Sequence, residues 1–123
     1  MHETHQEILA EWQTGTILKC VTGGRIVGSV RAHLAPGRVC RIGKLVVDPA
    51  CQRMGIGEKL MREIEALHVG QCEAYTLFTA ADTHHTSALY RRLGYREVSR
   101  RTHGEIEMIY MEKPGGKPGK RHA

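Results

Sequence analysis

The chain has 123 residues, room for one domain built around one hydrophobic core. Hydrophobic residues make up 41% of it, yet no apolar run approaches the ~20 residues of a membrane span and no signal-peptide core opens the sequence, so a cytoplasmic protein with no membrane role is expected. Four scattered cysteines (Cys20, Cys40, Cys51, Cys72) without a C-x-x-C pair argue against both a zinc site and a disulfide frame, and the formal charge of +5 suggests an acidic partner.

In chain order, Thr4 and Glu7 have capping-box spacing, and Ile8, Leu9 and Trp12 follow at helical intervals. That pattern predicts a short helix near residues 5 to 13, ended by Gly15. Residues 16–22 read as a strand, Gly23-Gly24 as a two-residue hairpin turn, and residues 25–34 as the partner strand. Ala35-Pro36-Gly37 turns the chain into a third strand over 39–47, which stops at Asp48-Pro49. A helix is predicted from Gly55 to about His68, with Ile56, Leu60, Met61, Ile64 and Leu67 as its apolar stripe and Gly70 as its stop. A strand over 74–79, a helix over 83–93 and two strands over 95–101 and 105–112 complete the series. Residues 114–123 form a basic tail with little to bury, and disorder is expected there. No aromatic residues are interleaved with its basic ones, which disfavours a nucleic-acid partner. Residues 1–113 make one domain, with no internal repeat.

The stretch from Leu45 to Gly57 carries the strongest chemical signal. An apolar strand ends at a proline, and a loop with Gly55 and Gly57 leads into the amphipathic helix. Unpaired amides and the helix dipole at such a start suit a phosphate or diphosphate. A P-loop would need Gly-x-x-x-x-Gly-Lys followed by Ser or Thr, which is absent. A dinucleotide fingerprint would need a third glycine where Leu60 stands, and an acid at the end of the next strand, which instead closes on Phe78-Thr79-Ala80.

Gln52-Arg53-Met54-Gly55-Ile56-Gly57 matches the Gln/Arg-x-x-Gly-x-Gly/Ala signature of the GNAT superfamily of N-acetyltransferases, which this chain resembles. The segment from Ile42 to Pro49 is similar to that family's fourth strand and its exit. Ser87-Ala88-Leu89-Tyr90-Arg91-Arg92-Leu93-Gly94-Tyr95 is similar to its LY-x-x-x-G-F/Y segment. The resemblance implies an α+β fold, a mixed, mostly antiparallel sheet with flanking helices. Family members carry a strand and two helices before the first hairpin strand. Too few residues precede Thr16 here, so the usual first strand and first helix are expected to be missing. That would leave residues 16–22 as a free sheet edge, and a homodimer is then one option.

The resemblance further implies acetyl-CoA as co-substrate and no metal. Main-chain groups of Leu45, Val46 and Val47 would hold the pantetheine arm. Gln52, Arg53, Met54, Gly55, Ile56, Gly57 and Glu58 would surround the diphosphate, Glu58 through its backbone alone. Where many members have an asparagine, Thr83 or Thr86 offers a hydroxyl; either is equally a helix cap. Tyr90 stands at the family's general-acid position, and it also fits as an amphipathic packing residue beside Leu89 and Leu93. His33, His84 and His85 have the chemistry of a base, but with eight histidines in the chain each reads first as a surface residue, and the sequence identifies no base. The strand over 38–45, where the family commonly places an acid, carries Arg38, Cys40, Arg41 and Lys44. The expected function is transfer of an acetyl group from acetyl-CoA to a primary amine of a small molecule or peptide. The alternative is an acyl-CoA-binding module with little or no activity.

Overall fold

The computed structural model describes residues 6–12, 15–81 and 84–115, the side chains of 84 and 85 excepted. Seven strands form one mixed sheet: β1 (Gln6–Trp12), β2 (Thr16–Thr22), β3 (Arg25–Ala35), β4 (Val39–Val47), β5 (Ala74–Ala80), β6 (Arg96–His103) and β7 (Ile106–Pro114). Their order across the sheet is β1-β2-β3-β4-β5-β7-β6. All neighbours are antiparallel except β4 and β5, which run parallel. Helix α1 (Ile56–Leu67) joins those two strands, and α2 (His84–Arg92) follows β5. The predicted α+β class and six of the seven strands stand as the sequence suggested.

The exception is the start of the chain. Residues 6–12 form a strand, not the predicted helix, and pair with β2 along their whole length, from Gln6↔Thr22 to Trp12↔Thr16. A first strand is therefore present, and β1 rather than β2 is the sheet edge. Residues 13–15 alone separate β1 from β2, which leaves no room for helices between them. The physical reason is that one turn or two of isolated helix is marginal in water, whereas a strand laid on β2 satisfies its backbone along the ladder. The proposed cap at Thr4 lies outside the described residues, as does the tail over 116–123. Pro114 is the last residue of β7, and the Gly115 amide donates to the Glu73 carbonyl (2.9 Å).

Helix α1 packs on β2, β3 and β4. Its Ile56, Leu60, Met61 and Ile64 are buried against Leu18, Val30, Ala32 and Ile42, while Leu67, also expected inside, is 36% exposed. Each such fully buried aliphatic side chain contributes roughly 1.5–3 kcal/mol. Close approach of α1 to β3 requires Gly28, since a Cβ there would lie 3.0 Å from Ile56 Cγ2 and 3.1 Å from Leu60 Cδ1. The far end of α1 is tied down by polar contacts. His68 is buried between Thr16 Oγ1 (3.3 Å) and Gln71 Oε1 (3.1 Å), with Trp12 of β1 edge-on to its ring. The Glu65 carboxylate accepts from the Tyr95 hydroxyl (2.7 Å) and Lys113 Nζ (2.8 Å), and the Glu65 carbonyl accepts from the Tyr75 hydroxyl (2.8 Å). Among the described residues no helix is long and apolar enough to cross a membrane.

Candidate active site

The site begins where β4 and β5 part. Their parallel pairing holds only at Val39↔Ala74, Cys40↔Tyr75 and Arg41↔Thr76, although β4 runs on to Val47 and β5 to Ala80. The β3–β4 register explains the divergence. Arg31 faces Gly43 but Ser29 faces Val46, so β4 spends Lys44 and Leu45 where β3 spends Val30 alone. This is a β-bulge, and Lys44 takes a left-handed backbone within it (φ 55°). A bulged strand bends away from its neighbour. The β5-facing edge of β4 beyond Arg41 is thus left outside the β4–β5 ladder.

The loop after β4 is braced locally. Asp48 accepts from the Ala50 amide (2.9 Å), capping a single 3-10 turn over Pro49–Cys51, and pairs with Arg25 (2.6 Å). The hydrogen bond from Arg25 holds the Asp48 carboxyl below its ordinary value. The backbone is left-handed at Arg53 (φ 69°) and again at the helix cap Gly55 (φ 79°), where glycine adopts it without strain. No side chain caps α1, and its first internal bond runs from the Lys59 amide to the Gly55 carbonyl (3.0 Å). The amides of Ile56, Gly57 and Glu58 precede that bond, so they have no acceptor within the helix. They add to the positive end of the helix dipole.

A cavity of about 530 Å³ joins these two features. Leu45, Val46 and Val47 of β4 form one wall, and Gln52, Arg53, Gly55, Ile56, Gly57 and Glu58 form another. Thr86 of α2 also lines it. Most of the residues that the sequence proposed for the cofactor therefore line one cavity; Met54 does not, nor does the proposed acid Tyr90. Met54 is 59% exposed and off the cavity wall. Thr83 lies outside the described residues. Tyr90 is not on the wall either: it is buried one turn beyond Thr86, edge-on to the Tyr95 ring (centroids 6.0 Å apart). Burial pushes its phenol up to about 12, so at neutral pH it keeps its proton.

Three wall residues were not predicted: Cys51, Leu89 and Arg92. Cys51 is half-buried against the core and carries a free thiol. Leu89 touches the space a Gly57 Cβ would fill (3.3 Å), so glycine at 57 lets β4, α1 and α2 close on one another. Arg92 reaches Glu58 (3.3 Å), whose carboxylate also takes Arg62 (2.8 Å). Those bonds hold the Glu58 carboxyl below its ordinary value. Two guanidinium groups against one carboxylate leave the mouth positive, which offsets the repulsion that Glu58 alone would offer an anion. Glu58 and Arg92 are 34 residues apart, and no local pattern links them. The one useful signal was their shared proximity to the two glycine-bearing motifs.

The sequence model of the Acetyltransferase (GNAT) family matches residues 1–95. The chain belongs to the GNAT acetyltransferase family. No curated protein matches its sequence. Among solved structures, the GNAT chain is similar to the ribosomal-protein-S18-alanine N-acetyltransferase from Escherichia coli, with 22% identity, a TM-score of 0.73, and coverage of 92% of this chain and 77% of that one. It is similar to NAA60 of Arabidopsis thaliana, solved with a bisubstrate analogue, at 16% identity and a TM-score of 0.74, covering 83% and 76% of the two chains. A GNAT family acetyltransferase from Elizabethkingia anophelis, solved with acetyl-CoA bound, matches at 14% identity and a TM-score of 0.70, over 82% and 76%. At these identities the likeness is one of fold.

Proposed function

We propose that this GNAT domain moves an acetyl group from acetyl-CoA to a primary amine by direct attack. One observation carries the reading: the open edge of β4 and the acceptor-less amides of residues 56–58 line the same cavity. A thioester on a long amide-bearing arm with a diphosphate at its end matches those two features in turn. The main chain of Leu45, Val46 and Val47 binds the arm as an added strand would, and the amides of Ile56, Gly57 and Glu58 donate to the diphosphate, with Arg53 and Arg92 beside them.

In the reaction the amine nitrogen bonds to the acyl carbon and the carbon–sulfur bond breaks. The nitrogen gives up one proton, and the departing thiolate takes one. A β4 amide facing the acyl oxygen stabilises charge as it develops. Tyr90, protonated at neutral pH, supplies the proton for sulfur across a short rearrangement of the buried phenol. The acceptor is an amine of a small molecule or peptide. Calorimetry with acetyl-CoA followed by a thiol-release assay over an amine panel tests the reading: binding with release supports it, and absence of binding refutes it.

Because Tyr90 stands off the cavity wall, a second reading is an acyl-CoA-binding module of little activity. Binding without release, over the whole panel, is its signature. A homodimer would form through β1, the outer strand, where Leu9 and Trp12 are exposed. A solution mass of a single chain at high concentration would exclude it.

A further inference from the structure

We infer that the acceptor is a small amine that also carries an anionic group, a carboxylate or a phosphate. The inference rests on the proposed acetyl transfer for the amine, and on a second cavity for the anion.

That cavity, of about 360 Å³, lies at the same gap between β4 and β5. Arg31, His33, Arg41 and Lys44 line it. Arg31 faces Gly43, His33 faces Arg41 and Arg41 faces Thr76 across the ladders, so the side chains of Arg31, His33 and Arg41 share one face of the sheet. The intervening Ala32 and Ile42 are buried on the other face, beneath α1. The second cavity thus belongs to the face away from the diphosphate loop. Its wall of Ile42, Gly43 and Lys44 runs along β4 straight into Leu45, Val46 and Val47 of the first. Consecutive stretches of β4 thus line the two cavities, beside the part of the strand that lies outside the β4–β5 ladder. In this proposal an amine held in the second cavity meets a thioester held in the first across that gap.

The charge of this second cavity is one-sided. Its lining contains two arginines and a lysine and no acid. Among the described residues Arg31, Arg41 and Lys44 form no ion pair, and what sets them apart from other unmatched cations is that they line one cavity together. Glu112, opposite Thr76 on β7, is not paired with them either. Three cations gathered without a counter-charge repel one another and hold a positive potential that a bound anion relieves. Guanidinium groups also match carboxylate and phosphate geometry, two N–H donors to two oxygens. A cationic acceptor such as a polyamine would meet the same field as repulsion. Phe78, 49% exposed in the lining, offers an apolar surface for the link between the amine and the anion. The volume is at the small end of the range for small-molecule sites, about 300–1,000 Å³. It fits a ligand of amino-acid size.

The test is an NMR titration of the full chain, with and without saturating coenzyme A. The probes are 4-aminobutyrate against its amide, and phosphoethanolamine against ethanolamine. At least one anionic probe should bind ten times or more tightly than its neutral partner and shift the signals of residues 31, 41 and 44. The better of the two distinguishes carboxylate from phosphate. Arg41→Gln and Arg31→Gln should each reduce that ratio several-fold without changing coenzyme A affinity. Equal affinities within both pairs, a preference for the neutral amine, no binding by any probe, or a ratio unmoved by both substitutions overturns the inference. Coenzyme A affinity is read separately by calorimetry, so failure of the acetyl-transfer reading appears there and not in the probe ratio.

Discussion

Tyr90 is buried, and its phenol is raised to about 12 by that burial. A group so placed can donate a proton at neutral pH but cannot take one up, which fits an acid to the thiolate and excludes it as the amine's base. Tyr90→Phe should lower turnover by roughly 10²-fold, as for loss of a positioned acid, with acetyl-CoA affinity unchanged. Steady-state kinetics beside calorimetry would show this, and unaltered turnover would remove Tyr90 from the chemistry. The same burial makes stability fall in alkali. The raised value means that the folded chain keeps a proton that the unfolded chain loses, so the contribution is whole below the ordinary tyrosine value near pH 10 and is lost as pH rises through about 12. Burial pushes Tyr75 and Tyr95 up as well, and Cys40 up to about 12, all in the same direction. Denaturant midpoints measured from pH 8 to 11.5 should decline from about pH 9 upward, where the unfolded thiol begins to ionise. A flat profile would contradict the burial of these groups. At this scale the sequence disclosed the residues of the Gln52–Gly57 motif, because one local loop carries them. It did not disclose Arg92 and Leu89, which enter the cavity wall only through the packing of α2 on α1.

Among the elements, α1 is the piece whose position the site depends on. It lies close to β3 because Gly28 has no side chain, and its start, with the amides of residues 56–58, is fixed by that contact. Gly28→Ala would press on Ile56, Leu60 and the Val46 carbonyl (3.2 Å) together, one of them backbone. The expected cost is about 1–3 kcal/mol, seen as a drop in Tm of several degrees in thermal unfolding. A variant as stable as the parent would mean that the α1–β3 approach is looser than described. Glu65 anchors the opposite end. Glu65→Ala would strand the buried Tyr95 hydroxyl and release Lys113, again at about 1–3 kcal/mol. α1 itself was legible from its 3.6-residue stripe, and the central hairpins from alternation and their glycine turns. β1 was not. Ile8 and Trp12 fit helical spacing and alternate-residue spacing equally well, and Leu9, which decided for a helix, turns out to be an exposed residue on a strand. Seven short residues hold too little periodicity to separate the two, and pairing with β2 decided between them.

Across the whole molecule, the bulge at Lys44 splits the sheet, and a cavity lies at the split on each face. Both helices stand on one face: α1 packs on β2, β3 and β4, and α2 lies beside it through Leu89 and Arg92. Among the described residues no helix covers the other face, where Phe78 is exposed in the lining of the basic cavity. From β2 onward the order of strands and helices was readable from the sequence, since each motif falls between recognisable turns. The split was not, because it depends on a register shift between β3 and β4 that only pairing reveals. What occupies the crevice between the β4 edge and the start of α1 decides the chemistry. Crystals grown with coenzyme A test it directly: the diphosphate should sit within hydrogen-bond distance of the amides of Ile56, Gly57 and Glu58, with the pantetheine amides bonded to the main chain of Leu45–Val47. Density for the coenzyme elsewhere on the molecule, with that crevice left to solvent, would contradict it.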